Sequence, residues 1–156
     1  MRFTSVEMIE KLVSFDTTSR NSNLELIHFV RDYLAAHGVE AEIVPSPDGV
    51  KANLFATVGP AVDGGVVLSG HTDVVPVDDQ PWDTDPFTIV EKEGKLFGRG
   101  TCDMKSFSAI GLALVPEMLA SDLKRPIHFA LSYDEEVGCF GAPLMIEQMA
   151  ERLPRA

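Results

Sequence analysis

Two short apolar runs, 66–68 and 127–131, each give way abruptly to a polar cluster, and no other feature constrains the fold as much. Val66-Val67-Leu68 leads into Ser69-Gly70-His71-Thr72-Asp73, and the run from Ile127 leads into Tyr133-Asp134-Glu135-Glu136. Between them, residues 106–119 carry Phe107, Ile110, Leu114 and Met118 at helical spacing. Strand, helix, strand in this order predicts a right-handed parallel crossover. The unbroken run at 66–68 is expected of a strand buried on both faces. Parallel strands end on the same edge, so His71 and Glu136 are predicted on one rim, where open α/β sheets bind ligands.

The rest of the chain reads as further helices and strands. Thr4-Ser5-Val6-Glu7 has the pattern of a capping box opening a helix with Val6, Ile9, Leu12 and Val13 on its apolar face. Residues 24–37 repeat apolar side chains at helical spacing and stop at Gly38. Residues 39–44 and 53–58 read as strands separated by Pro45, Pro47 and Gly49, and 87–90 with 95–97 as a hairpin across Glu93-Gly94. A last helix is predicted over 142–152. No repeat, low-complexity tract or interdomain linker interrupts the 156 residues, a length that suits one domain.

Composition excludes several classes of function. A net charge of −11 and the lack of any Lys/Arg cluster argue against nucleic acid as a partner. No stretch approaches a membrane span, and Glu7 and Glu10 interrupt the apolar N-terminus as a signal peptide would not allow. The two cysteines, Cys102 and Cys139, are too few for a disulfide framework and read as reduced thiols, which points to the cytoplasm.

Three clusters carry the candidate chemistry: His71-Thr72-Asp73, Cys102-Asp103 and Asp134-Glu135-Glu136. Zn²⁺ takes imidazole and carboxylate ligands, and a carboxylate can bridge two ions. Each residue also has a plainer reading. His71 alone is more often a hydrogen-bonded surface histidine, Asp73 a turn residue, Asp103 a cap for the following helix, and the acidic run a solvated loop. Solvated loops rarely interrupt two buried parallel strands at one edge, and the three clusters together favour a metal site. A phosphate-binding loop at Gly98-Arg99-Gly100-Thr101 and Lys105-Ser106 is rejected. Met104 stands where such a motif needs Gly before Lys, and Asp103 would oppose the phosphates.

Several stretches resemble the M20 metallopeptidases. They are Ser69-Gly70-His71-Thr72-Asp73-Val74-Val75-Pro76, Gly98-Arg99-Gly100-Thr101-Cys102-Asp103-Met104-Lys105 and Asp134-Glu135-Glu136-Val137-Gly138-Cys139-Phe140-Gly141. Pro81-Trp82-Asp83-Thr84-Asp85-Pro86-Phe87 and the run from Gly94 to Gly100 add to the likeness, which is strongest to the family's acetylornithine deacetylase branch. The resemblance implies a zinc-peptidase-like α/β fold, a three-layer sandwich with a mostly parallel twisted sheet flanked by helices. It implies two Zn²⁺ ions per active site, with Co²⁺ able to substitute. His71 would bind one ion, Asp103 would bridge both, and Glu136 would bind the other. Glu135 would be the general base, Asp73 would orient His71 through its far nitrogen, and the Asp103–Met104 peptide would be cis. The implied substrate is a small N-acyl amino acid, N2-acetyl-L-ornithine on the nearest likeness. Succinyl-diaminopimelate desuccinylase and the family's di- and carboxypeptidases are close alternatives, and a non-catalytic metal-binding or interaction domain is the alternative of another class.

Members of this family are roughly twice as long. The resemblance therefore implies that residues 1–156 are the N-terminal part of the metal-binding catalytic domain. Absent would be the lid domain that mediates homodimerisation and the C-terminal segment that completes the ligand sets. Such a fragment is expected to bind metal weakly and to turn over little substrate. Ser106, where relatives usually have Gly, is a departure that bears on local helix packing.

Overall fold

Thr4 opens the first helix, α1 (Ser5–Val13): its hydroxyl accepts from the Glu7 amide while the Glu7 carboxylate accepts from the Thr4 amide. A computed structural model describes residues 2–150. The buried face of α1 is Met8, Ile9, Leu12 and Val13. Val6, expected on that face, is 47% exposed instead.

The elements that follow are α2 (Leu24–Ala36), β1 (Ala41–Pro45), β2 (Ala52–Val58), β3 (Val66–His71), β4 (Val90–Lys92) and β5 (Lys95–Phe97). Then come α3 (Lys105–Ala113), α4 (Val115–Ala120), β6 (Ile127–Ser132) and α5 (Gly141–Met149). The helix predicted over 142–152 is thus described from 141 to 149, and its positions 151 and 152 lie outside the described residues. β4 and β5 form a separate hairpin whose turn holds Glu93 and Gly94 at φ 54° and 70°, the pair of left-handed residues a tight hairpin requires. Among the described residues no helix is long and apolar enough to cross a membrane.

The main sheet runs β1-β2-β6-β3. β3 and β6 are parallel, as the crossover reading predicts, in a register from Val66↔Ile127 to His71↔Ser132. β1–β2 and β2–β6 are antiparallel, so within these residues the sheet is mixed rather than mostly parallel. The connection 46–51 is the cause at β1–β2, since so short a link returns a strand only antiparallel.

Alternation along the strands divides the core. Leu54, Ala56, Val58, Phe129 and Leu131 face α1 to α4, while Val44, Phe55 and Ala130 face Met145 and Met149 of α5. This is the expected three-layer, helix–sheet–helix arrangement. β3 departs from expectation. It is the edge strand of the described sheet, and Val66 and Val67 are 58% and 48% exposed rather than buried on both faces.

α3 also departs, in which face it buries. The spacing points to Phe107, Ile110, Leu114 and Met118, yet Phe107, Ile110 and Leu114 are 43–44% exposed. The buried side is Ser108, Ala109, Leu112 and Ala113 together with Gly111. Small residues win because the helix lies very close to the sheet: a Cβ on Gly111 would stand 3.0 Å from the Phe129 ring and 3.2 Å from Leu68. The predicted helix 106–119 is two helices, with Leu114 capping both and Pro116 in the first turn of α4, the place in a helix that tolerates a residue without an N–H.

Candidate metal centre

β3 and β6 end side by side, with His71 opposite Ser132. The Thr72 amide and hydroxyl both donate to the Ser132 carbonyl, at 2.8 and 2.9 Å, so the segments bearing His71 and Glu136 leave the sheet together. Gly70 lets the helix behind approach: a Cβ there would lie 2.7 Å from the Ser108 hydroxyl. The third cluster arrives just before α3, and its Asp103–Met104 peptide is cis, as the resemblance implies.

His71 is buried and held at both nitrogens. Nδ1 lies 2.9 Å from the Asp73 carbonyl and 3.5 Å from the Asp73 carboxylate. Nε2 faces Asp103 Oδ1 at 3.0 Å and Glu135 Oε2 at 3.7 Å. Burial opposes a charged ring, but the bonds to Asp73 and Asp103 outweigh it and raise the imidazole pKa to about 9. Asp73 thus holds this nitrogen mainly through its backbone carbonyl, with its carboxylate the more distant contact.

The Asp73 carboxylate has further partners. It accepts from the Ser19 hydroxyl at 2.7 Å and from the amides of Glu135 and Glu136 at 3.0 and 3.2 Å. Burial works to raise its pKa, yet the bonds from His71, Ser19 and the two amides bring it down to about 2. Glu136 moves the other way. Burial pushes its pKa up, and the negative charges of Asp103, Asp73 and Glu135 add to that while His71 opposes it.

His71, Glu135 and Glu136 each offer a ligand atom, all within 4.8 Å of one another. Asp103 touches His71 but stands outside that group, with its side chain 72% exposed. The structure therefore gathers all five singled-out residues at one rim, with Glu135 in the tight group where Asp103 was expected. This donor set fits a borderline cation. Asp73 pins one imidazole nitrogen and leaves the other facing the carboxylates of Asp103 and Glu135, an imidazole-and-carboxylate donor set of the kind such a cation takes.

Sequence reasoning missed Thr17, Ser19 and Lys51. Thr17 donates to the Thr72 carbonyl, Ser19 to Asp73, and Lys51 pairs with Asp134 and donates to the Ser19 carbonyl. Thr17 and Ser19 lie in the polar loop 16–23 and Lys51 in the link between β1 and β2, with no periodicity or motif to mark any of them.

The family model of peptidase family M20/M25/M40 matches residues 67–156, more than half of the sequence. The chain belongs to this family. It is 39% identical over 146 residues to an acetylornithine deacetylase of Proteus mirabilis (strain HI4320), covering 89% of this chain and 38% of that protein. It is 40% identical over 132 residues to the acetylornithine deacetylase of Shigella sonnei (strain Ss046), covering 84% and 34% respectively. The chain thus spans little more than a third of the length of these M20 relatives. Among solved structures, human carnosine dipeptidase 1 superposes with a TM-score of 0.79 at 25% identity over 95% of this chain and 35% of its own. The M20 metallo-carboxypeptidase Sso-CP2 of Sulfolobus solfataricus, at 18% identity, shares the fold with a TM-score of 0.84 over 97% of this chain and 35% of its own.

Proposed function

We propose that this chain supplies the zinc-binding part of an amidohydrolase that removes acetyl from N2-acetyl-L-ornithine, giving ornithine and acetate for arginine biosynthesis in the cytoplasm. The observation that carries the reading is the meeting of His71, Asp103, Glu135 and Glu136, from three separate segments, on one rim of the sheet. Similarity to two acetylornithine deacetylases at 39% and 40% identity favours acetylornithine among N-acyl amino acids.

On this reading His71, Asp103 and Glu136 would hold two zinc ions, and Co²⁺ could replace zinc. When bound, the cations supply Lewis acidity, lowering the pKa of water towards about 7 and polarising the scissile carbonyl. Asp73 fixes the His71 tautomer and, through its bonds to two amides, the loop that presents Glu135. The Glu135 carboxylate, half exposed at the rim, takes a proton from the attacking water and passes it to the leaving amine nitrogen. A second reading makes Glu135 a ligand, and its place in the tight group favours it. Further ligands, the groups holding the substrate carboxylate and a homodimerising lid would come from the rest of a longer enzyme, and residues 1–156 alone would turn over little substrate.

The test compares zinc binding by this chain with acetylornithine hydrolysis by the longer enzyme. Glu135→Gln is expected to keep zinc and lose turnover, whereas His71→Ala loses zinc. Equal zinc loss in both variants makes Glu135 a ligand, and zinc binding untouched by His71→Ala removes the site.

A further inference from the structure

Outside the metal-facing groups, one largely buried ion pair sits directly behind the acidic loop. Lys51 Nζ pairs with Asp134 Oδ1 and also donates to the Ser19 carbonyl, with side chains only 15% and 16% exposed. Lys51 is fixed at its base. Its amide donates to the Ser46 hydroxyl at 3.0 Å, and its carbonyl accepts from the Ser46 amide at 2.8 Å. Asp134 is the residue just before Glu135, and its φ of 57° turns the chain as it leaves β6. Asp is one of the few residues that tolerate this left-handed conformation.

These contacts close a ring. Lys51 holds Asp134; the next two residues donate their amides to Asp73; Asp73 accepts from the Ser19 hydroxyl; and the Ser19 carbonyl accepts from Lys51. Removing one partner of such a shielded pair leaves the other charge without compensation, which is destabilising.

We infer that Lys51 is a positioning residue for the candidate metal centre. It clamps the Asp134 turn to Ser19 so that Glu135 and Glu136 both face His71. The inference rests on the metal-site reading above and assigns no contact between Lys51 and substrate or metal.

Cobalt titration of the chain, read by the Co²⁺ absorption spectrum, tests it in Lys51→Met, Lys51→Arg, Asp134→Asn and the Lys51→Met/Asp134→Asn double variant. Each of the two disruptive single changes is expected to weaken cobalt binding about 10- to 100-fold and alter the spectrum. The double variant should lose little more than either single, and Lys51→Arg should recover most of the affinity. Amide exchange at Glu135 and Glu136, measured without metal, should quicken at least tenfold in Lys51→Met and Asp134→Asn. Parent-like spectra and affinities in both single variants, or unchanged exchange at the two amides, overturn the inference. If the parent chain binds no cobalt, the metal reading fails, and the exchange experiment alone decides on the clamp. If Lys51→Met does not fold, Asp134→Asn decides, since Asn also accepts the left-handed turn.

Discussion

Asp73 accepts from one hydroxyl and two backbone amides and flanks the His71 ring, all from a buried position. An amide side chain cannot serve these donors equally, because one of its two ends is itself a donor. Asp73→Asn is therefore expected to leave a buried N–H or O–H unpaired, at a cost of about 1–3 kcal/mol in urea unfolding. Zinc affinity should fall about 10- to 100-fold through misplacement of His71 and the acidic loop. Zinc affinity equal to the parent's in a competition assay would show that Asp73 does not organise the centre. Glu135→Gln, which disturbs none of these bonds, serves as the contrast.

At the scale of the element, α3 decides how close the third cluster comes to the sheet end. Its Gly111 side lies against Phe129 and Leu68 with Leu112 buried beside it, while Phe107 and Ile110 point outward. Leu112→Ala is expected to cost about 2–5 kcal/mol, since Leu112 is fully buried. Ile110→Gln should change stability by no more than about 0.5 kcal/mol. Urea midpoints of the two variants measure this, and a larger loss at Ile110 would mean that the helix buries the face its spacing advertises. Helical periodicity shows that a face is apolar. It does not show that the apolar face is the one against the sheet when a second, smaller face fits more tightly.

Across the whole molecule, the rim joins segments far apart in sequence: 17–19, 51, 71–74, 103 and 134–136. A cation bound there binds only the folded chain and stabilises it by mass action, by about 2.7 kcal/mol at a hundredfold excess over Kd. Thermal melting should shift upward with added zinc, return to the starting value with a chelator, and show no shift in His71→Ala. A zinc-independent melting temperature in the parent chain would count against the centre as a whole.

Much of this was readable in the residues alone. Apolar runs that stop at polar clusters, with a helical stretch between them, pointed to the parallel β3–β6 pair and the shared rim, because a strand–helix–strand crossover returns the second strand parallel to the first. The polar clusters stood out as contiguous stretches of sequence, two of them where apolar runs end, while the role given to each residue came from the resemblance to the M20 family. What tertiary structure decided was everything that depends on a distant neighbour. The edge position of β3, the face α3 buries, the Asp73 bonds to two amides and the Lys51–Asp134 clamp all join residues with no sequence relation. Packing distance and hydrogen-bond satisfaction settle such choices, and both exist only once the chain has closed on itself.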